Sequence, residues 1–323
     1  MMSRLTINAT NLVVSPLCYG TNMLGTAIDQ DGANAILDCF AELGGNFLDT
    51  ARVYGDWVPD APAGASERAI GVWLKRVNRA DFVIATKGGM IDFRAGDGRP
   101  RCTPADITLD LTQSLDHLGI DHVDLYWLHT DNPALPVEPI MDALLAHQAA
   151  GHIGVFGASN WSAARIAEAN AYAASIGKQG FIASQTFWGL AKPDAAVAGP
   201  HGYVHYYEDS GYDALHAGGL TFMPYAAQSG GYFTKLAKGA DHVPEGLKAR
   251  YNHPANAARL AAAQALAARH GVTINEIVLA YLSSQPHQTI PIFGARTPDQ
   301  VKESVKSAAL KLNAEELAQL RVG

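Results

Sequence analysis

The segment FVIATKGG (82–89), followed by PADITLDLTQSLDHLG (104–119) and then VDLYWLHTDN (123–132), decides the fold. FVIAT (82–86) and VDLYW (123–127) are short apolar runs, and such runs suit strands buried on both faces of a parallel sheet. Between them, Thr103 and Pro104 give a cap and first-turn signal, and the amphipathic stretch they open ends at Gly119. A strand, a helix and a second strand over this span form one parallel crossover unit.

The same unit recurs on both sides. Strand-like runs stand at 17–20 (LCYG), 46–49 (NFLD), 82–86, 123–127, 153–157 (IGVFG), 180–185 (ending FIASQ), 220–224 (LTFMP) and 289–293 (TIPIF). Helical periodicity is read at 31–44, 104–119, 137–150, 162–176, 255–270 and 298–310. Thr297-Pro298 repeats the cap-and-proline signal. Eight strand–helix units favour a closed (β/α)8 TIM barrel over an open doubly wound sheet. The 323 residues suit one such domain, 1–323, since a barrel takes about 250 residues before loop insertions. RLTINATNLVV (4–14) reads as an N-terminal β-hairpin set to plug one barrel end, and 191–213 as a long loop at the C-terminal face.

Bulk properties narrow the function. The hydrophobic share is 48% and the net charge is −7, which argues against nucleic acid or an anionic membrane as the main partner. Three cysteines without metal-like spacing point to free thiols in a reducing compartment, and no signal or membrane-spanning run is read, so a cytoplasmic location is expected. No His-x-His or His-Glu-x-x-His pair is present, so no metal is expected. No Gly-x-Gly-x-x-Gly follows a strand, so any dinucleotide must be bound without the usual Rossmann turn.

In a barrel of this kind chemistry sits where strands end on the C-terminal face. Strand two ends at Asp49 with Tyr54 in the next loop, strand three near Lys87, and strand four near His129. Each has an ordinary reading alone: a helix cap, a packing aromatic, a paired buried lysine, a core histidine. Together, on three consecutive strand ends, they can converge on one pocket mouth.

At this point the chain resembles the aldo-keto reductase family. The resemblance is carried by NFLDTARVYG (46–55), TKGG (86–89), YWLHTDNP (126–133), GASNWS (157–162) and IPIFGARTPDQ (290–300), in order along nearly the whole chain. It implies that Asp49, Tyr54, Lys87 and His129 form a catalytic tetrad. Tyr54 would then be the proton donor, with Lys87 lowering its pKa, Asp49 holding Lys87 charged, and His129 orienting the substrate oxygen. It implies NADP(H) as cofactor and a small-molecule carbonyl or alcohol as substrate. Ser159, Asn160 and Gln185 would contact the nicotinamide carboxamide, and Trp188 would stack on its ring. Gly20, Thr21 and Asn22 would line the same end. Tyr225, Ala227, Gln228, Ser229 and Gly230 would form a pyrophosphate loop, and Gly294, Arg296, Gln300, Glu303 and Ser304 the adenosine side. Arg296 can pair with a 2′-phosphate, although the Lys-Ser/Thr clamp of many members is absent and Ser304 replaces the usual Asn. Trp57 is read as substrate-binding, on a rim with Met23, Phe93, Arg94, His205, Tyr206 and Tyr207. This mix of aromatic and polar groups suits a sugar-like or small polar carbonyl. A catalytically slow cofactor-binding module, similar to channel β subunits, is the alternative. A Schiff-base aldolase through Lys87 is disfavoured, because an Asp49 partner would raise the lysine pKa rather than lower it.

Overall fold

The structure is a computed structural model that describes residues 1–194 and 211–322. Two short strands, β1 (Leu5–Thr6) and β2 (Val13–Val14), pair antiparallel as the expected hairpin. Its turn passes through Ala9 in the left-handed region, φ 57°. Eight strands follow: β3 (Cys18–Gly20), β4 (Phe47–Asp49), β5 (Val83–Gly88), β6 (Val123–Leu128), β7 (Ile153–Ser159), β8 (Ala183–Gln185), β9 (Thr221–Phe222) and β10 (Ile292–Phe293). All pair parallel, in the order β10-β3-β4-β5-β6-β7-β8-β9. The sheet curls until its ends meet. Phe222 N donates to Gln288 O at 3.0 Å, Ile290 N to Phe222 O at 2.8 Å, and Ile292 N to Pro224 O at 2.9 Å. The closed (β/α)8 barrel is therefore the fold, with every strand on a run read from the sequence.

Helices pack outside: α1 (Gln30–Glu42), α2 (Ala65–Leu74), α3 (Pro104–Leu118), α4 (Val137–Ala149), α5 (Ala163–Ser175), α6 (Asp213–Ala217), α7 (Tyr232–Leu236), α8 (Glu245–Arg250), α9 (Ala255–His270), α10 (Ile274–Ser283), α11 (Pro298–Lys306) and α12 (Ala314–Leu320). The strict one-helix-per-strand count fails between β9 and β10, where α7, α8, α9 and α10 all intervene. The Thr103 cap is a full capping box: its hydroxyl accepts from Asp106 N, and the Asp106 carboxylate accepts from Thr103 N.

The barrel interior holds Cys18, Phe47, Val83, Ala85, Leu125, Trp127, Ile182, Ala183, Met223 and Ile290. Ile7 and Val14 of the hairpin belong to the same cluster, so the hairpin plugs the N-terminal end as expected. A second apolar layer, between the strands and the helices, carries Trp73, Tyr126, Phe156, Trp161 and Tyr281. Cys18, Cys39 and Cys102 are buried free thiols. Among the described residues no helix is long and apolar enough to cross a membrane.

Candidate active site

The C-terminal ends of β4, β5 and β6 bring Asp49, Lys87 and His129 to one mouth, and the loop after β4 brings Tyr54. Register explains the convergence. Asp49 is level with Ala85, two residues before Lys87, and Lys87 is level with Trp127, two residues before His129. Residues two apart on a strand point to the same face, so all three aim into the barrel. Lys87 Nζ donates to Asp49 Oδ2 at 2.5 Å, to Thr50 O at 2.7 Å and to the Tyr54 hydroxyl at 3.0 Å. The Tyr54 and His129 rings meet edge-on at 5.9 Å.

Lys87 is 1% exposed and Asp49 2%, and a charge so deeply buried needs a partner. Burial alone would lower the Lys87 ammonium, but the Asp49 carboxylate and Tyr54 overrule it, and its pKa stands above the ordinary lysine value. Burial pushes Asp49 up, against the pull of Lys87 and of the hydrogen bond from Gln185. For Tyr54 the expected direction is corrected. Burial raises the phenol further than the Lys87 charge lowers it, so its pKa lies above the ordinary tyrosine value. Lys87 thus restrains a rise rather than producing a net fall. The phenol is protonated at neutrality, the state a donor requires. His129 is driven well below the ordinary histidine range by burial and by the Lys87 and Arg52 charges. It is a neutral imidazole whose Nδ1 has no hydrogen-bond partner among the described residues.

The ends of β7, β8 and the loop after β9 continue the rim. Asn160 stands in the left-handed region, φ 56°, and its amide donates to His129 O at 3.0 Å. Its Oδ1 accepts from the Tyr225 hydroxyl at 2.7 Å. Gln185 Nε2 donates to Asp49 Oδ1 at 2.9 Å, so Gln185 braces the ion pair as well as facing the mouth. Ser159 is buried beside Asn160, its hydroxyl accepting from the Asn160 amide at 3.3 Å.

Several expected cofactor contacts sit elsewhere. Trp188 is 3% exposed and packs edge-on against Tyr281 at 6.0 Å, so its face is core, not an open platform. The part-exposed aromatic at this rim is Tyr225, tied to Asn160 and edge-on to Phe187 at 5.5 Å. Gln228 bridges loops: Nε2 donates to Asn275 Oδ1 at 2.9 Å and Ser304 Oγ at 3.3 Å, and Oε1 accepts from Gly294 N at 2.9 Å. Ser304 is spent in that bridge and buried. Thr21 uses its hydroxyl on Asp49 O and Ser66 Oγ. Gly20 ends β3, Asn22 is exposed just after it, and Ala227 is buried. Trp57 is 48% exposed and edge-on to both Tyr54 (5.9 Å) and Phe93 (6.2 Å). His205, Tyr206 and Tyr207 lie outside the described residues.

A dinucleotide site is supported by backbone and charge. Ala226, Ser229, Gly230 and Gly231 all have left-handed φ, between 51° and 76°. Such runs turn successive amides toward one concavity, an arrangement suited to anions. The Ser229 hydroxyl is buried with no hydrogen-bond partner among the described residues. Gly294 is exposed with open space where a side chain would be. Arg296 is exposed, its N held by Gln300 Oε1 at 2.7 Å, and Glu303 lies one helical turn further on α11. Sequence reasoning missed Lys235. On α7 its ammonium donates to Gly230 O, and burial together with the Arg296 charge lowers its pKa. Two cations within each other's field suit a phosphate, and MPYAAQSGGYFTK (223–235) carried that lysine in plain view.

Comparison with known proteins agrees with this geometry. The family model described as the aldo/keto reductase family matches residues 16–322. The aldo-keto reductase ausK of Aspergillus calidoustus is 31% identical over 95% of this chain and 78% of its own length. The norsolorinic acid reductase stcV of Emericella nidulans is 28% identical over 95% and 77%. An aryl-alcohol dehydrogenase of Pestalotiopsis microspora is 26% identical over 99% and 81%. In fold, the chain superposes on a thermostable aldo-keto reductase solved with the inhibitor epalrestat, with a TM-score of 0.74 at 22% identity over 99% of this chain and 98% of that one. The chain belongs to the aldo/keto reductase family, nicotinamide-dependent oxidoreductases that interconvert carbonyls and alcohols.

Proposed function

We propose that the protein is an NADP(H)-dependent reductase of an aldehyde or ketone, with Asp49, Tyr54, Lys87 and His129 as its catalytic residues. The observation that carries the reading is the chain of contacts Asp49–Lys87–Tyr54 at 2.5 and 3.0 Å, closed by the His129 ring. A bound nicotinamide supplies the hydride. Tyr54, protonated at neutrality, donates the proton to the carbonyl oxygen and takes it back in alcohol oxidation. Lys87 stabilises the phenolate left behind, and Asp49 keeps Lys87 charged and aimed. His129, a neutral imidazole, donates a hydrogen bond to the substrate oxygen and fixes its position between ring and phenol.

Asn160, Gln185 and Tyr225 hold the nicotinamide end in this reading. Ser229, Gly230 and the left-handed backbone around them hold the pyrophosphate. Lys235 and Arg296 pair with a 2′-phosphate, which is the basis for NADP(H) over NAD(H). Trp57 and His129 flank the carbonyl at the rim, and a small polar or sugar-like carbonyl is the substrate class proposed.

Tyr54→Phe is the test. Turnover in an absorbance assay of the reduced nicotinamide should fall by about 10²-fold or more, while cofactor affinity stays within a few-fold. Near-wild-type turnover in that variant rejects the assignment. A slow cofactor-binding module would show weak turnover in the wild type against every carbonyl offered.

A further inference from the structure

We propose that Thr130 is a positioning residue for His129, its hydroxyl tying the chain just after that histidine to the turn that follows Lys87. The proposal rests on the role given above to His129.

The turn needs holding from outside. Lys87 is followed by Gly88 and Gly89. A side chain begun at Gly88 would run into the Tyr126 hydroxyl and Cβ of Asp110, so that glycine is needed for space. Gly89 has φ 82°, a conformation that glycine takes at no steric cost. Two glycines in a row have no side chains to lock their peptide planes, so their neighbours must do it. Four bonds arrive there. Arg52 N donates to Lys87 O at 3.1 Å, and His129 N to Gly88 O at 2.7 Å. Gly89 N donates to Asp110 Oδ2 at 2.9 Å, and the Thr130 hydroxyl donates to Gly89 O at 2.7 Å. The loops after β4 and β6, which carry Tyr54 and His129, are thus registered on one turn.

His129 depends on that registration more than Lys87 does. The Lys87 ammonium is held directly by Asp49, Thr50 and Tyr54. The His129 ring has no hydrogen-bond partner at Nδ1 among the described residues, and it meets Tyr54 edge-on. Its place is therefore set through its backbone. His129 N is fixed on Gly88, His129 O accepts from Asn160 Nδ2 at 3.0 Å, and Thr130 anchors the following residue on Gly89. Strand β6 ends at Leu128, level with Gly88 of β5, and the Thr130 hydroxyl extends the tie to β5 past the end of that ladder. Thr130 is 3% exposed, so its bond is shielded from water. Cys102 Sγ lies 4.0 Å from Gly89 O and 3.1 Å from Thr130 O, and a thiol is too weak a donor to take over. Thr130 itself does not touch the reacting atoms.

Thr130→Val keeps the branched shape and loses the donor, whereas Thr130→Ser keeps the donor. Turnover is read with glyceraldehyde and with 4-nitrobenzaldehyde, and cofactor affinity by the quenching of tryptophan fluorescence by NADPH. In Thr130→Val, kcat should fall about tenfold or more, as for a slightly misplaced catalytic group. The cofactor Kd should hold within about twofold, because the bond is felt at the reacting carbonyl and not at the cofactor. Thr130→Ser should keep kcat within about threefold, since the hydrogen bond survives. If Thr130→Val does not fold, Thr130→Ala is read with the same expectations. The losses should not add: in a His129→Gln background, Thr130→Val should cost less than about twofold, because no imidazole is left to misplace. A merely structural threonine would lower stability and leave the kcat of the folded enzyme alone. Wild-type kcat in Thr130→Val, an equal loss in Thr130→Ser, or the full loss repeated in the His129→Gln background overturns the proposal. His129→Gln assayed alone separates the two failures. If it is slow while Thr130→Val is not, only the Thr130 role falls. If it is as fast as the wild type, the site reading itself falls.

Discussion

Lys87 stands between Asp49 and Tyr54, its ammonium 3.0 Å from the phenol oxygen of Tyr54 and 4.6 Å from the centre of that ring. One cation therefore acts on both the hydroxyl and the ring of the proposed donor. Its own charge is secured by Asp49 on the other side, away from solvent.

Lys87→Met keeps the stem and removes the charge. Reductase kcat should drop by about 10²–10⁴-fold. The buried Asp49 carboxylate loses its partner, so the variant should also be less stable by about 3–5 kcal/mol in urea unfolding. Adding Asp49→Asn should restore much of the stability and none of the turnover. Recovery of turnover in the double variant would show that the charge is dispensable.

The pH profile follows from the directions found. Tyr54 and Lys87 are both held above their ordinary values, and reduction needs both protonated. Reduction should therefore be flat through neutrality and decline only above about pH 10, the ordinary tyrosine value. Oxidation of the alcohol needs the phenolate and should climb with pH over the same range. His129 is held well below the ordinary histidine range, so it contributes no inflection near pH 6.5. An inflection there that vanishes in His129→Gln would show that His129 titrates during turnover. Steady-state rates from pH 5 to 11 in both directions settle it.

Cofactor choice turns on Lys235 and Arg296. Arg296→Ala and Lys235→Ala should each raise the KM for NADPH by about tenfold or more and leave that for NADH within about twofold, since a phosphate pairing is worth that much and NADH lacks the phosphate. The NADPH effect should shrink at high salt, because both cations are near the surface. Equal changes for the two cofactors would move these residues away from the 2′-phosphate.

Behind the mouth, Asp110 is fully buried between two guanidiniums. Its Oδ1 lies 2.5 Å from Arg101 Nη2 and 3.2 Å from Arg52 Nε, and its Oδ2 accepts from Gly89 N at 2.9 Å. Arg52 in turn lies in the loop after β4, where its charge acts on His129. Asp110→Asn leaves two buried cations under-compensated and should cost about 3–5 kcal/mol in urea denaturation. A loss under 1 kcal/mol would mean that Asp92 and Asp106, also paired with these arginines, carry the charge balance instead.

Legibility differed between elements for physical reasons. Helices α3 and α11 were readable because Thr103-Pro104 and Thr297-Pro298 announce them chemically. Helix α10 was not, because Asn275 to Leu282 are all buried and no polar face marks a helical period. Helix α2 begins at Gly64 in the left-handed region with no side-chain cap, so its start carries no signal. At the site, Lys87 stood out because an ammonium ending an apolar strand needs a partner. Trp188 looked like an open aromatic face because it follows a strand end closely, and only its packing against Tyr281 shows that it is buried. Gln228 and Ser304 looked like ligand contacts because polar side chains in Gly-rich loops serve ligands and brace loops equally well.

The order of apolar runs and caps, by itself, determined the barrel, since buried parallel strands and their crossover helices leave local signatures in hydrophobic spacing. It also put Asp49, Lys87 and His129 at consecutive strand ends. Tertiary structure alone decided which donors meet Asp49, that burial outweighs Lys87 in setting the Tyr54 phenol, and that Lys235 stands in the field of Arg296. Those are relations across strands or between loops after different strands, set by register and by exclusion of water, and spacing along one chain records neither.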